Sequence, residues 1–189
     1  PAHRSPEQVD LRPWAFQAIW TVGLNCGLRF DELAKMQMNM ISHLYQGITI
    51  NLPVRTKNSI RMKHYKLLDW PHPVAKMSAG LDASVALGLW MAHGGSDDGF
   101  LFCNFVGERL DYGRPWDAKK FIQYMRERLI LAGEGEGNAR YFTGHSIKRG
   151  SVQLYRTMGV TDNCIMRRIN RTGECSFLRY TEAFNKAAS

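Results

Sequence analysis

The sequence has no long apolar run, and nothing in it approaches the ~18 consecutive apolar residues that a membrane-spanning helix requires. Cysteine is scarce too. Cys26, Cys103, Cys164 and Cys175 are scattered, and no pair has the C-x2-4-C spacing of a zinc knuckle. With no signal-peptide pattern at the start, these absences exclude a disulfide-built secreted scaffold and point to a reducing, intracellular setting away from membranes. No internal repeat or low-complexity tract is present, which excludes a solenoid. The chain starts at Pro1 rather than Met, and is read as an excised domain whose upstream segments are missing. Acidic residues are in deficit, with 17 Asp+Glu against 25 Lys+Arg and a formal charge of +8. That imbalance favours a polyanionic partner, above all nucleic acid, and leaves the fold open.

What is present reads as one domain, mostly α with a small antiparallel β-hairpin. After a polar lead over residues 1–12, Leu11, Trp14, Ala15, Ala18, Ile19 and Val22 recur at three- and four-residue steps, the mark of a helix. Asn25-Cys26-Gly27 interrupts it, and a second helical pattern is expected over 30–38 with Leu33 and Met36 inward. Ile48, Ile50 and Leu52 alternate over 47–54, a strand signal; 55–59 reads as a turn and 60–68 as the return strand. Pro71 and Pro73 end that element, because proline cannot donate to a ladder. Helices are expected over 81–90 and 115–131, the latter with Trp116, Phe121, Met125 and Leu129 on its core face. The glycine-rich stretch 133–137 reads as a flexible loop. Three short helices follow at about 145–158, 161–169 and 174–187.

Chemistry concentrates near the end. From Asn138 to Tyr180 the basic residues are Arg140, Lys148, Arg149, Arg156, Arg167, Arg168, Arg171 and Arg179, opposed only by Asp162 and Glu174. Six of the chain's eight net positive charges therefore lie in this stretch. A solvated face of three helices would account for it. So would a phosphate-contacting surface, whose binding would fall with salt as counterions are released.

The order of residues within these segments is more specific. Gly27-Leu28-Arg29-Phe30-Asp31-Glu32-Leu33 resembles the T-G-L-R-x-x-E-L motif of the tyrosine recombinase (phage integrase) family. Gly144-His145-Ser146-Ile147-Lys148-Arg149-Gly150 is similar to that family's H-x-L-R block. Phe177-Leu178-Arg179-Tyr180-Thr181 is similar to its L-x-R-Y-T nucleophile motif. His145 and Tyr180 are 35 residues apart, the family's usual separation, and Gly159 stands where the family often has the glycine joining two helices. The resemblance spans roughly residues 14–184 and implies a tyrosine recombinase catalytic domain, with a core over 13–187 and without the separate N-terminal core-binding domain.

It also implies a chemistry. A phenol with a pKa near 10 is a poor nucleophile at neutral pH, so it must be aligned on the phosphorus and relieved of its proton. Tyr180 is then expected to attack a DNA phosphodiester, forming a 3′-phosphotyrosine and releasing a 5′-hydroxyl. Guanidinium donors would grip the phosphate oxygens as they gain charge. Arg29 is the expected first clamp, with the alternative of an ion pair to Asp31 or Glu32. Glu32 matches the family's buttressing acidic position. Lys57, in the hairpin turn, matches the general-acid lysine, with Lys63 and Lys66 as competitors. His145 would contact the phosphate or exchange a proton with the tyrosine, or else serve as a cap. Tyr180 itself has the alternative of a core aromatic. Arg140, Arg149, Arg167, Arg168 and Arg179 are the expected further DNA contacts. Double-stranded DNA is the expected partner, with self-association into dimers or tetramers on it; no cofactor or metal is implied.

Two positions depart from the family. Its second arginine, three residues after the histidine, is Lys148 here, which keeps the charge and loses the fork. Its later histidine or tryptophan position, nine residues before the tyrosine, is Arg171. These departures turn the expectation towards the divergent Crypton-like recombinases of eukaryotic mobile elements, which would place the protein in a nucleus. They also keep two other readings open: a domesticated recombinase fold that binds DNA without cutting it, and a type IB topoisomerase-like activity.

Overall fold

The computed structural model describes residues 9–44, 47–55, 60–67, 82–94 and 98–169. Helix α1 (Arg12–Cys26) is the central element. Pro13 sits in its first turn, where a missing N–H costs nothing, and Gly27 closes it in the left-handed conformation at φ 62°, donating its N–H to Gly23 O. Ala15, Ala18, Ile19, Val22 and Cys26 are fully buried, as the three- and four-residue spacing predicts.

The next helix is cut short. α2 (Phe30–Leu33) is a single turn, not the helix expected over 30–38; Met38–Met40 forms a 3-10 turn and the chain then enters a strand. Leu33 and Met36 are nonetheless fully buried. The backbone explains the stop: Met36 O accepts the N–H of Leu101, and Gln37 bridges Phe100, so long-range pairing replaces the helical bonds.

The expected hairpin is present within a larger sheet. β1 (Ile41–Leu44), β2 (Gly47–Arg55) and β3 (Ile60–Lys66) form an antiparallel sheet in that order, with Ile41 opposite Ile50 and Ile50 opposite Tyr65. Ile48, Ile50 and Leu52 face the core. β2 and β3 close at the Arg55–Ile60 pair; the turn between them, with Lys57, lies outside the described residues.

After α3 (Ala83–Gly94), which packs on α1, comes a second sheet that the sequence reading did not expect. β4 (Cys103–Val106) and β5 (Arg109–Pro115) pair as a hairpin about Gly107-Glu108. The Trp90 indole donates to Leu101 O at 2.8 Å and so fastens α3 to this hairpin. The helix expected over 115–131 begins later, as α4 (Ala118–Leu131), because Asp117 caps it by accepting the N–H of Lys119 and Lys120 at 3.0 Å each. Phe121 and Met125 are fully buried, and Trp116 packs edge-on against Phe121.

The glycine-rich stretch holds a single turn, α5 (Glu136–Ala139), which is a correction to the expected loop. α6 (Ser146–Thr157) and α7 (Asp162–Arg168) match the expected helices at about 145–158 and 161–169. Gly159 joins them at φ 76°, the left-handed turn that a glycine allows there. α6 crosses α1 closely because Gly23 has no side chain: a Cβ there would stand 2.5 Å from Ile147 Cγ2. Further along, α6 shares a small second core with α7, made of Val152, Tyr155, Ile165 and Ile169. The helix expected at 174–187 lies outside the described residues. Among the described residues no helix is long and apolar enough to cross a membrane.

Replacing Asp117 with Ala removes both cap bonds of α4, so Asp117→Ala should lower stability by about 1 kcal/mol. Urea unfolding should show this as a shifted midpoint with an unchanged slope.

Candidate phosphate-binding site

Arg29 opens α2 in an extended conformation, directly after the Gly27 turn that ends α1. Its N–H donates to Glu32 Oε2 at 2.7 Å, so Glu32 holds the arginine's backbone in place. Phe30 anchors the same turn from the other side, stacked on Phe121 of α4 with ring centroids 4.0 Å apart. Arg29 is left half-buried at the edge of this apolar floor.

The segment that carries His145 is joined to this turn. The Phe30 N–H donates to Gly144 O at 3.1 Å, and a Cβ on Gly144 would stand 3.3 Å from Phe30 Cβ. Two stretches more than a hundred residues apart in sequence therefore meet backbone to backbone, one residue from Arg29 and one from His145. Arg126 of α4 braces the approach to His145: its Nε donates to Phe142 O at 3.1 Å, and its Nη2 donates to Arg140 O at 2.7 Å and to Phe142 O at 3.0 Å. A turn at Thr143, whose N–H donates to Ser146 Oγ at 2.9 Å, then delivers His145 to the N-terminus of α6 with its side chain exposed.

The basic residues separate by environment. Arg140, Arg149 and Arg167 are exposed, and the Arg140 guanidinium lies 4.9 Å from the centroid of the Tyr141 ring. Arg156 is paired with Asp162 at 2.7 Å, linking α6 to α7. Lys148 is buried, at 5% exposure, and its Nζ donates to Ile169 O at 3.3 Å. Arg168 is half-buried; its Nε donates to Asn25 O at 3.1 Å and its Nη2 to Asn25 Oδ1 at 2.6 Å. The structure thus brings together the surroundings of Arg29, Glu32, His145, Lys148 and Arg149. Lys57, Arg171, Arg179 and Tyr180 lie outside the described residues. Among the described residues no group of three or more His, Cys, Asp or Glu side chains is arranged to hold a metal ion.

Sequence reasoning missed the residues that assemble the site. Asn25 receives Arg168 and also the Tyr155 hydroxyl, which donates to Asn25 O at 2.6 Å, while Ser151 Oγ donates to Leu24 O at 2.6 Å. Burial raises the Tyr155 phenol well above its ordinary pKa, so it stays a neutral donor. No motif marks Asn25 or Arg126. Ser151 and Tyr155 do share the inward stripe of α6 with Ile147, and that amphipathic spacing is the one signal that could have found them.

No protein-family description matches the chain, and no curated protein matches it. Its fold does match solved structures. XerH site-specific recombinase bound to its difH substrate, in a pre-cleavage complex, aligns over 98% of this chain at a TM-score of 0.61 and 14% identity. The Tn1549 transposon integrase, in complex with circular intermediate DNA, aligns over 94% at a TM-score of 0.57 and 14% identity. A lambda integrase dimer bound to a COC′ core site aligns over 95% at a TM-score of 0.57 and 13% identity. The chain spans 47%, 62% and 60% of the lengths of those three chains. At this identity the likeness is one of fold: mostly helical with small antiparallel sheets, the architecture of tyrosine recombinase catalytic domains.

The Gly27 turn that launches Arg29 tolerates no side chain. A Cβ there would stand 2.3 Å from Ile169 Cγ2, in a left-handed conformation that costs an L-residue about 1–2 kcal/mol even without the clash. Gly27→Ala should therefore destabilise by more than about 2 kcal/mol and lower the thermal midpoint by several degrees. Burial also raises the Cys26 thiol to about 12 and the Cys103 thiol to about 11, which keeps both protonated at pH 8. Maleimide labelling of native protein at pH 8, located by peptide mass, should modify exposed Cys164 and spare Cys26 and Cys103.

Proposed function

We propose that the chain is the catalytic part of a DNA strand transferase, which cleaves and rejoins duplex DNA through a 3′-phosphotyrosine on Tyr180. The observation that carries this reading is the Phe30–Gly144 backbone bond, which places the Arg29 turn against the His145 helix start within a recombinase-type fold. A phosphate seated there would face the N-terminus of α6, where the positive end of the helix dipole favours an anion. Arg29 clamps its oxygens, and His145 donates to an oxygen or exchanges the proton of the Tyr180 phenol. Arg149, exposed on the first turn of α6, supplies further positive charge. Lys57 is the general acid for the leaving 5′-oxygen, with Lys63 and Lys66 as substitutes, and Arg171 adds a donor near the nucleophile. Arg140, Arg167 and Arg179 hold the flanking backbone.

The complexes that resemble this chain contain DNA, and one is a dimer, which supports double-stranded DNA as partner and self-association on it. Placement in the Crypton-like mobile-element group rests on the changed positions Lys148 and Arg171 alone. One observation favours a second reading, a DNA-binding module with weakened cleavage: Lys148, where the family has its second arginine, is buried on Ile169 O.

A nicked suicide DNA substrate should yield a covalent protein–DNA adduct that disappears in Tyr180→Phe and forms about a hundredfold or more slower in Arg29→Ala. Salt-sensitive binding without any adduct would select the binding module. No DNA binding at low salt would overturn both readings.

A further inference from the structure

Two of the basic residues expected to face DNA point into the protein, and they point at one place. Lys148 reaches from α6 to Ile169 O, the carbonyl just past α7. Arg168, at the end of α7, grips both the carbonyl and the side chain of Asn25. Asn25 O also takes the Tyr155 hydroxyl, and Ile169 fills the space over Gly27. Four residues further along α1's exit is Arg29. Eleven residues beyond Ile169, in sequence, is Tyr180.

We propose that Lys148 and Arg168 are positioning residues rather than phosphate ligands: they form an internal latch that ties the end of α7 to the Asn25–Gly27 turn. The proposal rests on the strand-transferase reading only for its consequence, and not for the latch itself. The consequence, on that reading, is that loosening the latch beside Arg29 slows strand transfer by Tyr180. The chemistry fits each residue. A buried ammonium next to the last carbonyls of a helix is well placed against the negative end of its dipole, and needs no fork. The Arg168 fork does need two acceptors in one direction, and Asn25 presents its carbonyl and its amide oxygen together. Neither side chain needs DNA to be satisfied.

Three readouts on the whole chain test this. The first uses no DNA. Cys26 is fully buried in the turn beside Arg168, so opening the latch exposes its thiol. Asn25→Ala and Arg168→Gln should each raise Cys26 maleimide labelling at least tenfold while leaving Cys103 labelling unchanged, and Arg168→Lys should restore part of the protection. Equal increases at Cys26 and Cys103 would mean general loosening and would overturn the latch. The second readout is the slope of log binding constant against log salt on duplex DNA. Arg149→Gln should lower it by about 0.9, the value for one phosphate contact, while Arg168→Gln and Lys148→Met leave it unchanged. A drop of that size in either latch variant would make that residue a phosphate ligand and defeat the proposal. The third is single-turnover adduct formation at saturating DNA. Asn25→Ala and Arg168→Lys should slow it tenfold or more with the DNA dissociation constant unchanged; an unchanged rate would remove the link to Tyr180. If the unaltered protein forms no adduct at all, the strand-transferase reading fails, while Cys26 labelling still decides the latch. If Lys148→Met does not fold, Asn25→Ala carries the test, since it keeps every basic residue in place.

Discussion

The last carbonyls of a helix have no partner within it, and something must satisfy them when the helix end is buried. In this fold α1 is the central helix. Backbone N–H groups take Gly23 O in its final turn, and side chains from elsewhere in the chain take the next two carbonyls. Ser151 takes Leu24 O, Tyr155 and Arg168 take Asn25 O, and Gly27 turns the chain left-handed beneath Ile169. Each of those donors lies more than a hundred residues away in sequence. Meeting one backbone requirement therefore also docks α6 and α7, and it does so a few residues before Arg29. The local need of a helix end and the global need of the site are met by the same bonds.

From that turn the rest of the site follows by short steps. Arg29 is extended because α2 starts after it, Glu32 holds its N–H, and Phe30 has nowhere to go but onto Phe121. The free N–H of Phe30 then finds Gly144 O, which fixes where α6 begins and so where His145 and Arg149 emerge. Two neighbouring positions on α6 meet opposite fates because one helical step turns a side chain by about 100°. Lys148 turns inward on the same stripe as Ile147, Ser151 and Val152, while Arg149 turns to solvent.

How much of this could be read beforehand depended on whether the signal was local. The strands around Ile48, Ile50 and Leu52, the helix around Phe121 and Met125, and the two helices joined at Gly159 all carry their own periodicity or turn residue, and all stand where that pattern puts them. The segment after Leu33 does not. Its apolar residues suit a helix, but Met36 O is taken by Leu101 N–H, a partner no local pattern reveals. The β4–β5 hairpin was missed for a related reason: Phe100 to Val106 is nearly all apolar, and such a run shows no alternation even when it becomes a strand. In the site, motif order singled out Arg29, Glu32 and His145. Arg126 and Tyr155 donate to backbone carbonyls, which many polar side chains can do, and Asn25 accepts through its carbonyl as well as its amide, so nothing in their identity announces the role.

The same distinction bears on the substitution at Lys148. As a letter in a motif, lysine for arginine reads as a weakened phosphate grip, because a point charge cannot match a fork on two oxygens. As a side chain in this fold it is something else: a buried lysine at 5% exposure whose ammonium donates to Ile169 O. A guanidinium there would bring five donors into a buried space where an ammonium brings three, and each donor left unsatisfied would carry a desolvation cost. The lysine is therefore suited to where it is. On α6 the adjacent exposed guanidinium is Arg149, one residue along and facing the solvent at the same helix start as His145. Under the proposed strand-transfer reading, Arg149 would supply the positive charge at this helix start, one position along, while the buried lysine reaches the end of α7.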